Sequence, residues 1–181
     1  MFRELKISFI AVSALAAAGC ASPSKVFINS KFDTGEANNL LAAGKNTVKG
    51  SALIRQMAGG VVTCAGLPVT LIPATAYADE RLPKTFVPRT FMVNDSGFMS
   101  FRIADSYPAP IFIPDEPQYP QLTRNSICDA QGFFKFDQLA DGSFYIWTTV
   151  QWYVDKDKQG GVLLKRVSVK NGETKEIVLA P

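Results

Sequence analysis

From Val48 onward, apolar and polar residues alternate with a period of two. Val48, Gly50, Ala52 and Ile54 interleave with Lys49, Ser51 and Arg55, the pattern of a strand with one face buried. The runs Val61 to Cys64 and Leu67 to Ile72, broken at Ala65-Gly66, predict two strands or one strand bent at the glycine. Farther on, Ser126 to Cys128, Asp129-Ala130-Gln131-Gly132 and Phe133 to Phe136 spell strand, tight turn, strand. Asp141-Gly142 then opens the longest run, Ser143 to Val154. A polar loop, Asp155 to Gly161, precedes Val162 to Val169, and Asn171-Gly172 leads into Thr174 to Leu179. Asn-Gly between two alternating runs predicts a hairpin. About seven short strands with almost no helix predict an all-β, antiparallel sandwich.

Two segments depart from this rhythm. Residues 20–45 predict a polar tether carrying one short helix, which Asp33 caps, Glu36 supports and Gly44 ends. Residues 73–125 form a proline-rich insertion holding eight of the eleven prolines, too many for a central strand through most of its length. A hairpin is expected around Asn94-Asp95-Ser96-Gly97, with extended, partly polyproline-like chain elsewhere. So long a loop in a compact domain points mildly to a functional site.

The amino terminus has a different character. Arg3 and Lys6 precede an apolar run from Ile7 to Ala18, the layout of a secretory signal and too short to cross a bilayer as a helix. Ala14-Leu15-Ala16-Ala17-Ala18-Gly19-Cys20 resembles a lipobox, where the signal (residues 1–19) is removed and Cys20 is fatty-acylated. Such a protein is held to the membrane through its lipid. Ala21 stands where an Asp would signal inner-membrane retention, so the expected address is the periplasmic side of the bacterial outer membrane.

Removal of the signal leaves about 160 residues, enough for one domain with a substantial core. With 47% hydrophobic and 19% charged residues, global disorder is excluded. The net charge of +3 is spread without a basic run, which implies no nucleic-acid partner. Cys64 and Cys128 remain once Cys20 is acylated, and in an oxidising compartment a disulfide is the natural reading. Two buried free thiols are the alternative, because sequence does not show whether the Cα atoms come within bonding range. With no histidine, a four-ligand zinc site of Cys and His cannot be assembled, and no metal or cofactor is expected.

Three stretches resemble one family. Val48-x-Gly50, then Val62-Thr63-Cys64-Ala65-Gly66-x-x-Val69-x-Leu71-x-Pro73-Ala74-Thr75, then Asp129-Ala130-x-Gly132-x-Phe134-x-Phe136-x-x-Leu139-x-x-Gly142-x-Phe144-x-Ile146 are similar to the carboxypeptidase regulatory-like domain. The resemblance implies a transthyretin-like (prealbumin-like) β-sandwich over residues 46–180, interrupted by the insertion. It carries no peptidase activity, which in that family belongs to a separate histidine-liganded zinc domain. Independently, Phe134 and Phe136 share a strand face and can both enter a core while Lys135 stays wet.

Candidate chemistry is sparse. In the run Phe144 to Val154, one face carries Phe144, Ile146, Thr148, Val150, Trp152 and Val154, and predicts core. The other presents Tyr145, Trp147 and Tyr153 with Thr149 and Gln151, an aromatic stripe with polar handles suited to a sugar or a protein partner. Against this stands burial of the stripe under the insertion through Phe86, Phe91, Phe98 and Tyr107, because large exposed apolar patches are uncommon on soluble domains. Asp155-Lys156-Asp157-Lys158 lacks the spacing of a calcium loop. Asp115-Glu116 defines no catalytic carboxylate pair, and no nucleophile elbow or phosphate-binding glycine loop is present. The expected function is that of a non-catalytic binding or accessory module for an envelope protein or glycan. A purely structural lipoprotein is the first rival, and an enzyme of unrecognised type the second.

Overall fold

The computed structural model describes residues 23–57, 59–85, 91–93, 99–102 and 109–181. The signal segment, the Cys20 lipidation site, and Phe86, Phe98 and Tyr107 lie outside these. In chain order the elements are β1 (Lys25–Phe27), α1 (Thr34–Leu41), β2 (Ala43–Arg55), β3 (Val61–Thr63), β4 (Pro68–Pro73), α2 (Ala76–Thr85), β5 (Phe91–Val93) and β6 (Met99–Arg102). There follow β7 (Ile111–Ile113), β8 (Arg124–Ile127), β9 (Phe133–Leu139), β10 (Gly142–Val154), β11 (Asp157–Val169) and β12 (Thr174–Leu179). The described residues thus hold twelve strands, more than the seven expected, and the protein is all-β in character.

Two sheets enclose the main core. An antiparallel six-stranded sheet runs β5-β6-β11-β10-β4-β8. Opposite it, β2 is flanked by β12, in parallel, on one edge and by β9 and β3 in succession on the other. Val48, Ala52, Phe134, Phe136, Leu139 and Leu179 from this smaller sheet meet Val69, Leu71, Phe144, Ile146, Val150 and Leu163 from the larger. Each such large apolar side chain removed from water contributes roughly 1.5–3 kcal/mol.

The predicted turns are present, but several connect different sheets. Asn171 and Gly172 both adopt positive φ (59° and 74°), as the expected tight turn requires. Yet β11 lies in the larger sheet and β12 pairs β2 in the smaller, so no β11–β12 hairpin forms. The Asp129 turn behaves likewise, passing from β8 to β9 across the sandwich. Asp129 Oδ1 accepts from the amides of Gln131 and Phe133, both at 2.9 Å. Gly132 closes that turn at φ 86°, and its missing Cβ would lie 2.5 Å from Thr63 Cβ; this position tolerates only glycine. A true hairpin joins β10 and β11, with Val154 opposite Asp157. The polar loop predicted there shrinks to Asp155-Lys156.

Cys64 and Cys128 are disulfide-bonded with Cα atoms 5.8 Å apart. Each sits where the chain changes sheet, between β3 and β4 or between β8 and β9. The corners are also laced by Gly66 N donating to Cys128 O and Cys128 N donating to Leu67 O, both at 3.0 Å.

The helix expected after Asp33 is α1, whose Glu36 amide donates to Asp33 Oδ1 at 3.0 Å; it stops at Leu41, short of the stop expected at Gly44. The tether and insertion predictions need correction, because parts of both form a roof over the outer face of the larger sheet. β1 pairs β7 in parallel, and Ile28 and Phe112 are buried with Tyr77, Leu82, Val162 and Leu164 in a second core. Insertion residues 76–85 are helical where extended chain was expected. Thr75 begins α2, accepting from Ala78 N through its hydroxyl and from Asp79 N through its carbonyl. Tyr77, Ala78 and Leu82 face inward. β5 and β6 pair antiparallel, as the anticipated hairpin requires; its turn, 94–97, lies outside the described residues.

One carboxylate ties the two halves of the roof. Glu80 accepts from Lys84 Nζ at 2.7 Å, from Ser30 N at 2.8 Å and from Asn29 N at 3.0 Å. The Lys84 ammonium first, then the Ser30 and Asn29 amides, hold its carboxyl down at about 2 from an ordinary 4.5. A depressed carboxyl stabilises the fold above its unfolded pKa and loses that contribution as pH falls towards the folded one. Glu80→Gln is therefore expected to lower the melting temperature above pH 5 (roughly, on linkage grounds), with the gap to wild type closing towards pH 2. Parallel melting-temperature curves for the two proteins would contradict this role.

Candidate functional site

The two faces of β10 are divided as predicted only along part of the strand. Phe144, Ile146, Thr148 and Val150 are buried in the main core, with Thr148 Oγ1 donating to Pro68 O at 2.7 Å. At the far end Trp152 is only half-buried and Val154 is 52% exposed, so these two are not core. The strand outruns the sheet beneath it.

The predicted stripe is divided too. Tyr145 and Trp147 pack against the second core, while Tyr153 is 67% exposed on the projecting hairpin. Six residues of extended chain separate Trp147 from Tyr153, about 20 Å, so the three aromatics do not form one surface. Cover comes from α2 and the 114–123 segment of the insertion. Tyr145 Oη donates to Asp79 at 2.7 Å; burial, reinforced by that hydrogen bond, pushes its phenol up to about 12.

Trp147 instead enters a cleft of about 390 Å³ between the roof and the edge of the larger sheet. Thr70 and Ile72 of β4, Asn125 of β8 and Trp147 of β10 form its floor. Arg81, Leu82 and Thr85 of α2 stand on one side, and Tyr119, Pro120 and Thr123 on the other. The size falls in the range of small-ligand sites. Thr70 Oγ1 donates to Asn125 Oδ1 at 2.9 Å, which fixes the side-chain amide in the floor by satisfying its oxygen.

Arg81 is held rigidly. Its Nη1 donates to Tyr77 Oη and to Asp115 Oδ1, each at 2.8 Å, and its Cζ lies 3.9 Å from the centre of the Phe112 ring and 4.9 Å from that of Tyr119. A guanidinium stacked on aromatic faces and paired to a carboxylate is preorganised. Tyr119 packs edge-on against Phe32 and Tyr77. Its hydroxyl is buried without a hydrogen-bond partner among the described residues, and that burial raises its pKa above the ordinary value.

The arrangement suits recognition: one indole, a fixed amide, a guanidinium and threonine hydroxyls are set beside the apolar Ile72 and Leu82. Among the described residues lining the cleft none is a carboxylate, and no group of three or more metal-ligating side chains occurs among the described residues. Asp115 is the ion-pair partner of Arg81. A second depression, about 450 Å³, is lined by residues of β2, β8, β9 and β12 where the two sheets meet at the Asp129 corner. Its Lys49 and Glu176 are paired with each other at 3.2 Å, and its Lys135 is paired with Asp137 at 2.9 Å. Sequence reading found Trp147 and flagged the insertion, but missed Arg81, Tyr119, Thr70 and Asn125. Only the register β4–β10 and β4–β8, together with the roof, brings these residues to one place.

Fold and cleft together define a two-sheet β-sandwich with a roofed outer face and a binding-sized hollow beneath the roof. No family model matches the sequence, and no curated protein is similar to it. Among solved structures, the chain is similar to a candidate carbohydrate-binding protein from Pseudomonas aeruginosa, with a TM-score of 0.64. The two are 20% identical, and the match covers 84% of this chain and 99% of that one. The likeness is one of fold.

Proposed function

We propose that the protein is a non-catalytic glycan-binding module of the bacterial envelope, anchored through an acylated Cys20 on the periplasmic side of the outer membrane. We read its sandwich as transthyretin-like, of the carboxypeptidase regulatory-like kind. The family motif supports that reading: Phe134, Phe136, Leu139, Phe144 and Ile146 are all buried, and Gly132 turns at positive φ.

The observation that carries the functional reading is the cleft floored by Trp147, Thr70 and Asn125 and walled by Arg81. An indole face stacks on the apolar face of a pyranose ring, while amide, guanidinium and hydroxyl groups meet the ring's edge. The carbohydrate-binding description of the fold neighbour is compatible with it. Among the described residues that line the cleft none is a carboxylate, which favours binding over glycoside hydrolysis, a reaction that uses a pair of them.

The test is calorimetric titration of the mature domain with β-1,4-linked amino-sugar and neutral hexose oligosaccharides. Trp147→Ala is expected to weaken binding roughly tenfold or more, as for other buried aromatic anchors. Asn125→Ala, on an exposed edge strand, is expected to weaken it while leaving the melting temperature unchanged. Absence of binding to every oligosaccharide would overturn the reading in favour of a structural envelope subunit. Binding unaffected by both substitutions would move the site elsewhere.

A further inference from the structure

The β1–β7 ribbon carries an apolar face with no place in either core. In its parallel register Lys25 stands beside Ile111 and Phe27 beside Ile113, so these four side chains share one face while Val26, Ile28 and Phe112 take the other. Ile28 and Phe112 are buried in the second core. On the outer face Phe27 is 64% and Ile111 47% exposed, and Ile113 is partly exposed with Lys25 at the margin.

We infer that this face rests on the lipid bilayer and sets the orientation of the domain on it. The inference rests on the anchoring at Cys20 proposed above and is independent of the cleft. The length of chain before the ribbon selects the occupant. Ser24 O accepts from Ile111 N at 2.9 Å, so the chain is already docked at Ser24, four residues after Cys20. Four extended residues span at most about 14 Å. An acylated Cys20 therefore holds the ribbon, before any other part of the domain, against the headgroup region. Phenylalanine and isoleucine suit the boundary between headgroups and acyl chains, and the Lys25 ammonium suits anionic headgroups just above it. Phe27 is also braced from within, since Lys84 Nζ donates to its carbonyl at 2.9 Å.

The test uses the full chain, exported and acylated in cells, then reconstituted into vesicles of phosphatidylethanolamine and phosphatidylglycerol. An environment-sensitive dye is placed on Phe27→Cys or, as reference, on Val178→Cys. Both sites are exposed, so neither change disturbs a core, and Val178 lies on the outer face of the smaller sheet, in the layer opposite the roof. The dye at position 27 is expected to shift to the blue on vesicles and to be quenched by nitroxide-labelled lipid about threefold more strongly than the dye at 178, as for interfacial side chains. Protein that floats with the vesicles but shows equal quenching at the two sites would overturn the inference and leave the anchor standing. Protein that does not float would remove the anchor and the inference together.

Discussion

Replacing both Cys64 and Cys128 with alanine is expected to lower the melting temperature by about 8–16 °C, the span for roughly 4 kcal/mol in a domain of this size. The pair closes a loop of 64 residues in sequence separation, and in the chain-entropy description a loop of that length accounts for about 4 kcal/mol. Position amplifies the effect. Each cysteine is buried at a corner where the chain leaves one sheet for the other, so the bond fastens the two sheets as well as the two strands. Scanning calorimetry of the double variant, with reduced wild type alongside, measures it. A loss below about 1 kcal/mol, well under the usual cost of removing a native disulfide, would mean that the core alone holds the sheets together.

The second large effect is expected at Asn46, which is fully buried inside an irregularity of β2. Leu139 of β9 faces both Ala43 and Asn46 in the register, so the backbone ladder is interrupted there. The Asn46 side chain replaces the missing bonds: Nδ2 donates to Leu139 O at 3.0 Å and to Asp141 Oδ1 at 2.9 Å, and Oδ1 accepts from Glu173 N at 3.0 Å. One amide thereby joins β2, the β9–β10 corner and the turn before β12. Asn46→Ala leaves a buried carbonyl short of a donor and is expected to cost about 1–3 kcal/mol, on the usual penalty for unsatisfied buried groups. Asn46→Asp is expected to cost at least as much, since it buries a carboxylate beside Asp141. Urea denaturation of the three proteins checks both. A loss under about 0.5 kcal/mol for the alanine variant, the range of an ordinary surface change, would remove Asn46 from this role.

The strands from Val48 to Leu179 were legible because each buries one face, and the period of two records that burial directly. Phe134 and Phe136 against Lys135, and Phe144, Ile146 and Val150 against their neighbours, are the clearest cases. Sheet membership was not legible. Asn171-Gly172 specifies a tight turn by its tolerance of positive φ, but the same turn serves a hairpin and a corner. What sends β12 across to β2 is long-range: Gly50 lets Ile177 O approach to where a Cβ would lie 2.2 Å away.

The roof was hidden for a different reason. Prolines at 73, 83 and 88 argue against regular structure, yet Thr75 caps α2 and Pro83 falls late enough in it for the first turns to form. Val26, Ile28 and Phe32 look like scattered apolar residues in a tether until Phe112 and Tyr77 are placed against them. The cleft inherits this difficulty. Trp147 stood out as an aromatic on the outer face of a strand, whereas Arg81 and Tyr119 acquire meaning only once α2 and the 114–123 segment fold over the sheet.

The most direct measurement of the central claim is a two-dimensional NMR titration of the mature domain with a bound oligosaccharide, observing the two indole N–H signals. Trp147 lies in the cleft, and Trp152 points from the opposite face of the same strand. Saturable displacement of the Trp147 signal with Trp152 unmoved is the predicted result. Displacement of Trp152 alone, or binding that moves neither signal, would contradict a glycan site beneath the roof.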